Sequence, residues 1–223
     1  KIEQHVVRAH ALDKIEMLAR ILQSEGRGPT IVFCRTKRTC QKTADDLLER
    51  GFRSDTIHGD LGQGAREKAL NDFKAGKSDV LVATDVAARG IDIDGITHVV
   101  NYQCPEDEKT YVHRIGRTAR AGAHGISVTF VDWDELARWK MIDTALNLNL
   151  GEPEETYSSS DSLFSKFKIP AGSTGRLNVA KKIAPVKSAS AVERPKTKSA
   201  PVAEKPKAER VKRDRVRTKR IAD

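Results

Sequence analysis

Apolar and polar positions alternate in two rhythms along the first two thirds of the chain. Leu12, Ile15, Leu18, Ala19 and Leu22 recur at three- and four-residue intervals, which predicts an amphipathic helix ending near Gly26 and Gly28. A short unbroken apolar run, Ile31-Val32-Phe33-Cys34, follows, and then a second helical stretch around Ala44, Leu47 and Leu48. Thr56-Ile57-His58 leads to a helix carrying Ala69, Leu70 and Phe73, and further runs come at residues 80–83, 98–102 and 126–131. Continuous runs rich in β-branched residues and separated by helices suit strands buried on both faces of a parallel sheet. The expected fold is one α/β domain over residues 1–150, a parallel sheet flanked by helices. Ligands of such sheets gather in the loops at the carboxyl ends of the strands. Chemistry is therefore expected after Cys34, His58, Ala83 and Tyr102.

The periodicity fades at Gly151-Glu152-Pro153. Ser158-Ser159-Ser160 and Pro170-Ala171-Gly172 punctuate residues 151–175, which read as a transition or linker. Charge sharpens the boundary. The net +9 is uneven: residues 1–175 carry 24 basic against 26 acidic side chains, and residues 176–223 carry 16 against 5. The latter segment has four of the eight prolines, no aromatic residue and only nine Leu, Ile or Val, too little apolar surface to offset the entropy of ordering. A disordered basic tail is expected there. No run approaches the roughly 18 apolar residues of a membrane span, which argues against a membrane protein, and no signal peptide pattern opens the chain. Cys34, Cys40 and Cys104 are odd in number and lack zinc-site spacing, so a reducing, cytoplasmic setting is expected. The opening at Lys1 rather than at a methionine suits a piece of something longer.

Three polar constellations fall where chemistry is expected. In the segment from His113 to Gly122, helical spacing through Arg120 would put Arg117 and Arg120 on one face, with His113 a turn earlier. Two guanidiniums on one spot make a permanently charged, planar clamp for a phosphate group, of the kind that stabilises charge on a transferring phosphoryl. A solvated basic helix end explains the same residues about as well. Thr84 to Asp92 follows a strand directly. Thr84 and backbone amides could hold a phosphate there, Gly90 permits close approach or positive φ, and Asp92 could accept from a ribose hydroxyl; an ordinary Asx-turn loop is the plainer alternative. His58-Gly59-Asp60, with Gln63 and Arg66 on the first helical turn beyond, offers exposed amides at a helix start.

In this order and spacing, the three segments together resemble the C-terminal RecA-like lobe of a superfamily-2 helicase, specifically of the DEAD-box RNA helicases, over roughly residues 2–150. Ile31 to Thr36 resembles the fourth helicase motif, His58-Gly59-Asp60 with Gln63 and Arg66 the glycine-turn and Gln-x-x-Arg motif, Thr84 to Asp92 the fifth and His113 to Arg120 the sixth. His113 favours the DEAD-box branch, since DNA-unwinding and DEAH-type relatives usually carry Gln there. The resemblance implies an ATP-dependent RNA helicase acting with Mg²⁺. Arg117 and Arg120 would reach the ATP γ-phosphate, Asp92 the ribose beside Gly90, and His113 would couple to the acidic motif of an N-terminal lobe. Arg35, Gly59, Gln63, Arg66 and Thr84 would lie along the RNA sugar–phosphate backbone, with little sequence preference.

The sequence departs from the family pattern in several places. Ala119 stands between the two arginines where glycine is usual, a change expected to be mild because Ala favours helix. Gln103 stands where Asp commonly follows Asn-Tyr. Gly76-Lys77-Ser78 imitates the end of a phosphate-binding loop, but Asn71 occupies the first glycine's place, and the segment reads better as a helix end before a strand. No Asp-Glu-Ala-Asp tetrapeptide is present to hold the metal. The expectation is half an ATP site, with no metal ligands of its own and no ATPase activity in this chain alone. The competing readings are a stand-alone RNA-binding or adaptor module and the lobe of a DNA-directed helicase. His5, His10, His98 and His124 show no metal spacing, and Asp132, Asp134 and Glu135 read as a helix start favouring its dipole. Trp133 and Trp139 read as one packed and one partly exposed residue. The run from Lys212 to Arg220, six basic residues in nine, is expected to tether RNA through counterion release.

Overall fold

The computed structural model describes residues 1–177; the basic tail beyond them lies outside the described residues. The strands are β1 (Ile2–Arg8), β2 (Thr30–Cys34), β3 (Ser54–Ile57), β4 (Val80–Thr84), β5 (His98–Asn101), β6 (Gly125–Val131) and β7 (Glu154–Glu155). They form one sheet in the order β3-β4-β2-β5-β6-β1-β7, with every neighbouring pair parallel. The helices are α1 (Lys14–Ile21), α2 (Lys37–Glu49), α3 (Gln63–Lys74), α4 (Asp85–Ala88), α5 (Glu108–Ile115), α6 (Leu136–Leu146) and α7 (Asp161–Lys166). The α/β expectation holds.

The apolar runs are unbroken because both faces of the central strands are covered. Val32, Val82 and Val100 stand in register on one face, packed with residues of α1, α2 and α7. Their neighbours Ile31, Leu81 and Val99 point to the other face, against Phe73 of α3 and Ala87 and Ala88 of α4. A third cluster joins Val6 and Val131 to Tyr111 of α5 and to the buried Trp139 of α6, whose ring meets Tyr111 edge-on at 5.6 Å. Trp133 stays 43% exposed, as the reading of the pair expects. Gly76, at φ +71, ends the α3 segment before β4 and is no phosphate loop.

Two elements were not expected. β1 pairs with β6 along its whole length, from Ile2 opposite Gly125 to Arg8 opposite Val131. Glu3, Gln4, His5 and Arg8 interrupt its apolar pattern, which is tolerable because its outer neighbour β7 is only two residues long. The second correction concerns residues 151–175. They pack onto the lobe and do not behave as a linker. Asp13 accepts hydrogen bonds from the Ser158 amide and hydroxyl at 2.6 and 2.7 Å. Leu163, Phe167 and Ile169 are buried in the α1–α2 face. Gln23 Nε2 then donates to Thr174 O and Arg50 Nη1 to Gly175 O, both at 2.7 Å, while Leu177 N donates to Arg50 O. This strap ends at the carboxyl end of α2, on the sheet edge opposite the carboxyl ends of the strands.

Candidate functional site

Parallel strands bring every strand's carboxyl end to one edge, and the candidates that follow β2, β3 and β4 are distributed along it. Arg35 follows β2, Gly59 follows β3, Gln63 and Arg66 open α3, and Thr84 ends β4 and caps α4. These strands are adjacent, in the order β3-β4-β2. Gly90 and Asp92 follow α4, and the arginine-rich segment leaves α5, which follows β5. The arginine-rich segment runs on toward the amino ends of β5 and β6, where Thr118 meets Ile96 and Gly125, so Arg117, Arg120 and Asp92 form a second group away from the carboxyl ends.

Helix α5 starts with a cap, the Asp107 carboxylate accepting from Thr110 N at 2.7 Å, which also holds that carboxyl below its usual range. It does not run through Arg120. It ends at Ile115, with Gly116 as its C-cap, and Thr118 Oγ1 donates to Ile96 O at 2.5 Å. Ala119 then takes a left-handed conformation, φ +57 and ψ +26, and Arg120 opens a short 3-10 turn ending at Gly122. The helical spacing argued from sequence is therefore wrong, since the two arginines do not share a helix face. Arg117 Nη1 donates to Ile91 O at 3.1 Å, and Arg120 Nη1 pairs with Asp92 Oδ1 at 2.6 Å. The reversal at Ala119 turns Arg120 back, so that both guanidiniums grip consecutive residues of one loop. The reason given for expecting Ala119 to be mild does not apply, since the residue is left-handed rather than helical. Gly90, at φ +73, supplies the other reversal.

The deepest charge at this edge is Arg114, 1% exposed. Its Nε and Nη2 donate to the two Asp85 carboxylate oxygens at 2.7 and 2.6 Å, and its Nη1 donates to Asn101 Oδ1 and Gln103 O, both at 3.2 Å. This fork locks α5 to the start of α4 and to the loop after β5. Removing Asp85, itself 35% exposed, leaves the buried Arg114 charge without its main partner and destabilises the lobe. Sequence reading missed the pairing; its only trace is an aspartate directly after a strand-ending threonine, with the arginine 29 residues on. His113, one residue earlier, is exposed, and it lines a cavity of about 80 Å³ with Phe33, Asp85, Arg89, Arg114 and Arg117.

On the other side, Arg66 Nη2 donates to Ala87 O at 2.8 Å and fastens α3 to α4. Gln63 donates to Glu67 at 2.7 Å and stays exposed on the first turn. Gly59 is exposed beside Asp60, which is ion-paired with Lys37 and held acidic by it. His58 is buried, donating from Nε2 to Gln41 Oε1 at 2.9 Å, with Nδ1 accepting from Asp60 N. The Arg35 guanidinium pairs with the buried Glu135 at 3.0 Å. Among the described residues no three His, Cys, Asp or Glu side chains gather as metal ligands, and no helix is long and apolar enough to cross a membrane.

The helicase conserved C-terminal domain family matches residues 13–122. The ATP-dependent RNA helicase CshA of Listeria monocytogenes is 49% identical over 142 residues, covering 64% of this chain and 27% of that protein. The E. coli DEAD-box protein SrmB, in its crystal structure with regulator of ribonuclease activity A, superposes with a TM-score of 0.64 at 32% identity, over 78% of this chain and 97% of that one. S. cerevisiae Dbp5 bound to RNA and ADP BeF3 gives 0.62 at 32% identity, over 74% of this chain and 43% of that one. The chain belongs to the DEAD-box RNA helicases, of which it is a C-terminal lobe, and it spans about a quarter of the length of the curated relative.

Proposed function

We propose that this lobe works with a first lobe as an ATP-dependent RNA helicase, supplying the arginines of an interlobe ATP site and a track for the RNA backbone. The observation that carries the reading is the convergence of Arg117 and Arg120 on residues 91–92. Each guanidinium has five N–H donors and is engaged here through one Nη atom, which leaves donors for a phosphate. Their permanent positive charge suits them to stabilise a transferring phosphoryl group when the cleft closes. Asp92 keeps one carboxylate oxygen for a ribose hydroxyl. Mg²⁺ is assigned to the first lobe, and His113, exposed on the same edge, to the contact with that lobe's acidic motif.

Arg35, Gly59, Gln63, Arg66 and Thr84 form the RNA track, with backbone contacts that leave sequence largely unread. The Arg114–Asp85 lock and the Arg66–Ala87 bond connect the two groups through α4, a physical path by which nucleotide at one side and RNA at the other could bias one lobe position. The basic tail adds a salt-sensitive tether. Its test is truncation after Leu177, since an earlier cut would remove the strap's bonds to Gln23 and Arg50.

The decisive experiment is RNA-stimulated ATPase of this chain, alone and mixed with a DEAD-box first lobe. The expected result is silence alone and turnover on mixing, abolished by Arg117→Ala or Arg120→Ala with RNA affinity kept. Activity of the chain alone, or mutant turnover equal to the parent's, would overturn the reading.

A further inference from the structure

Gln103 stands where the family commonly has a shorter acid, and its contacts give it a task. Its side-chain Oε1 accepts from the Arg35 backbone N–H at 3.0 Å, across from the β5 loop to the β2 loop. Its own carbonyl accepts from the buried Arg114 Nη1 at 3.2 Å. One residue therefore bears on both sides of the edge at once, with its backbone fixed by the α5 arginine and its side chain fixing the loop that presents Arg35.

The Arg35 head group is mounted separately. Glu135, 2% exposed, pairs with it at 3.0 Å and is itself braced: Glu135 Oε2 accepts from Asp132 N at 3.1 Å and from Cys104 N at 3.4 Å, and Lys14 lies 3.9 Å away. Glu135 is thus more than the dipole-favouring helix start read from sequence. With both mounts in place, Arg35 has its main chain and its guanidinium held independently, and the entropy of fixing a long side chain is met before any ligand arrives. We propose that Gln103 is a positioning residue for RNA binding: it holds Arg35 in register with the Arg114–Asp85 lock, so that Arg35 meets a phosphate at a fixed distance from the arginine pair. The inference rests on the assignment of Arg35 to the RNA track.

The test uses the whole 223-residue chain in two measurements. Hydrogen exchange by NMR reads the Arg35 amide, and fluorescence anisotropy reads affinity for a labelled decauridylate in the parent, Gln103→Leu, Gln103→Glu and Arg35→Ala. Gln103→Leu removes the acceptor, while Gln103→Glu keeps an oxygen at the same reach. The expected pattern is an Arg35 amide protected in the parent and in Gln103→Glu but not in Gln103→Leu. Affinity should fall about three- to tenfold in Gln103→Leu, the size of one net hydrogen bond, and return to within about twofold of the parent in Gln103→Glu. Arg35→Ala should weaken binding and lower the salt slope by about one. An unprotected Arg35 amide in the parent overturns the inference without any variant. So does parental affinity in Gln103→Leu when Arg35→Ala is weakened. If Arg35→Ala binds like the parent, the RNA assignment of Arg35 fails and the inference falls with it.

Discussion

Replacing Ala119 with glycine should stabilise the lobe. At φ +57 an L-residue brings its Cβ against the following carbonyl, at a cost of roughly 1–2 kcal/mol. The chain cannot relax out of this conformation. Thr118 is tied to Ile96 O on one side, and Gly125 lies so close that an added Cβ would collide with the Thr118 side chain and crowd the Ala119 amide. Glycine would relieve the strain but bring about 0.5–1 kcal/mol of extra conformational entropy to the unfolded chain. The net gain is about 0.5–1 kcal/mol. For a domain of this size that raises the melting temperature by about 1–4 °C. Guanidinium titration of the 223-residue chain reads it directly, as a higher midpoint at unchanged slope. A lower midpoint at unchanged slope would refute the reasoning, since it would mean that the Ala119 methyl gains more from packing than the left-handed backbone loses.

Phe167→Ala should cost about 3–5 kcal/mol in the same titration, because the ring is buried in the main core; a loss under 1 kcal/mol would mean that the strap is only loosely applied. The buried His98 has its pKa lowered to about 4 by burial and by the nearby Arg27 charge. The unfolded chain therefore binds more protons between pH 6.5 and 4, and stability should fall through that window as pH falls, by up to about 3 kcal/mol. His98→Gln should flatten that dependence, as paired melts at pH 7 and pH 5 would reveal. Cys34, Cys40 and Cys104 are fully buried, and burial pushes Cys40 up to about 11 and Cys104 up to about 12, with Cys34 also raised. A thiol reagent at pH 8 should find none of the three in the native chain and all three after unfolding; rapid native labelling would contradict that burial.

The parts of the fold legible in sequence were those whose signal is local. Residues 80–83 are apolar throughout because both their faces are covered, and helix α2 announces itself through Ala44 and Leu47. β1 was illegible because Glu3, Gln4 and His5 break its pattern near the sheet's thin edge. α7 was hidden by the serines before it and by its six-residue length, too short for periodicity to register. In the site, residue types and order singled out the segments after β2, β3 and β4 and the one that leaves α5. The geometry did not follow from them, because the reversal at Ala119 depends on Thr118 and Gly125 rather than on any local propensity. Arg114 could not be told from its neighbours, since its main partner Asp85 lies at the start of α4, 29 residues earlier.

The strap has a further consequence for how the lobe comes into being. β1 is made first but has no neighbour until β6, more than a hundred residues later, and the α1–α2 face lacks Leu163, Phe167 and Ile169 until the strap arrives. Strands β2, β3, β4 and β5 can pair early during synthesis, while the β6-β1-β7 margin of the sheet waits. The α1–α2 face is therefore the last part of the described core to be covered, by a strap made after every strand of the sheet.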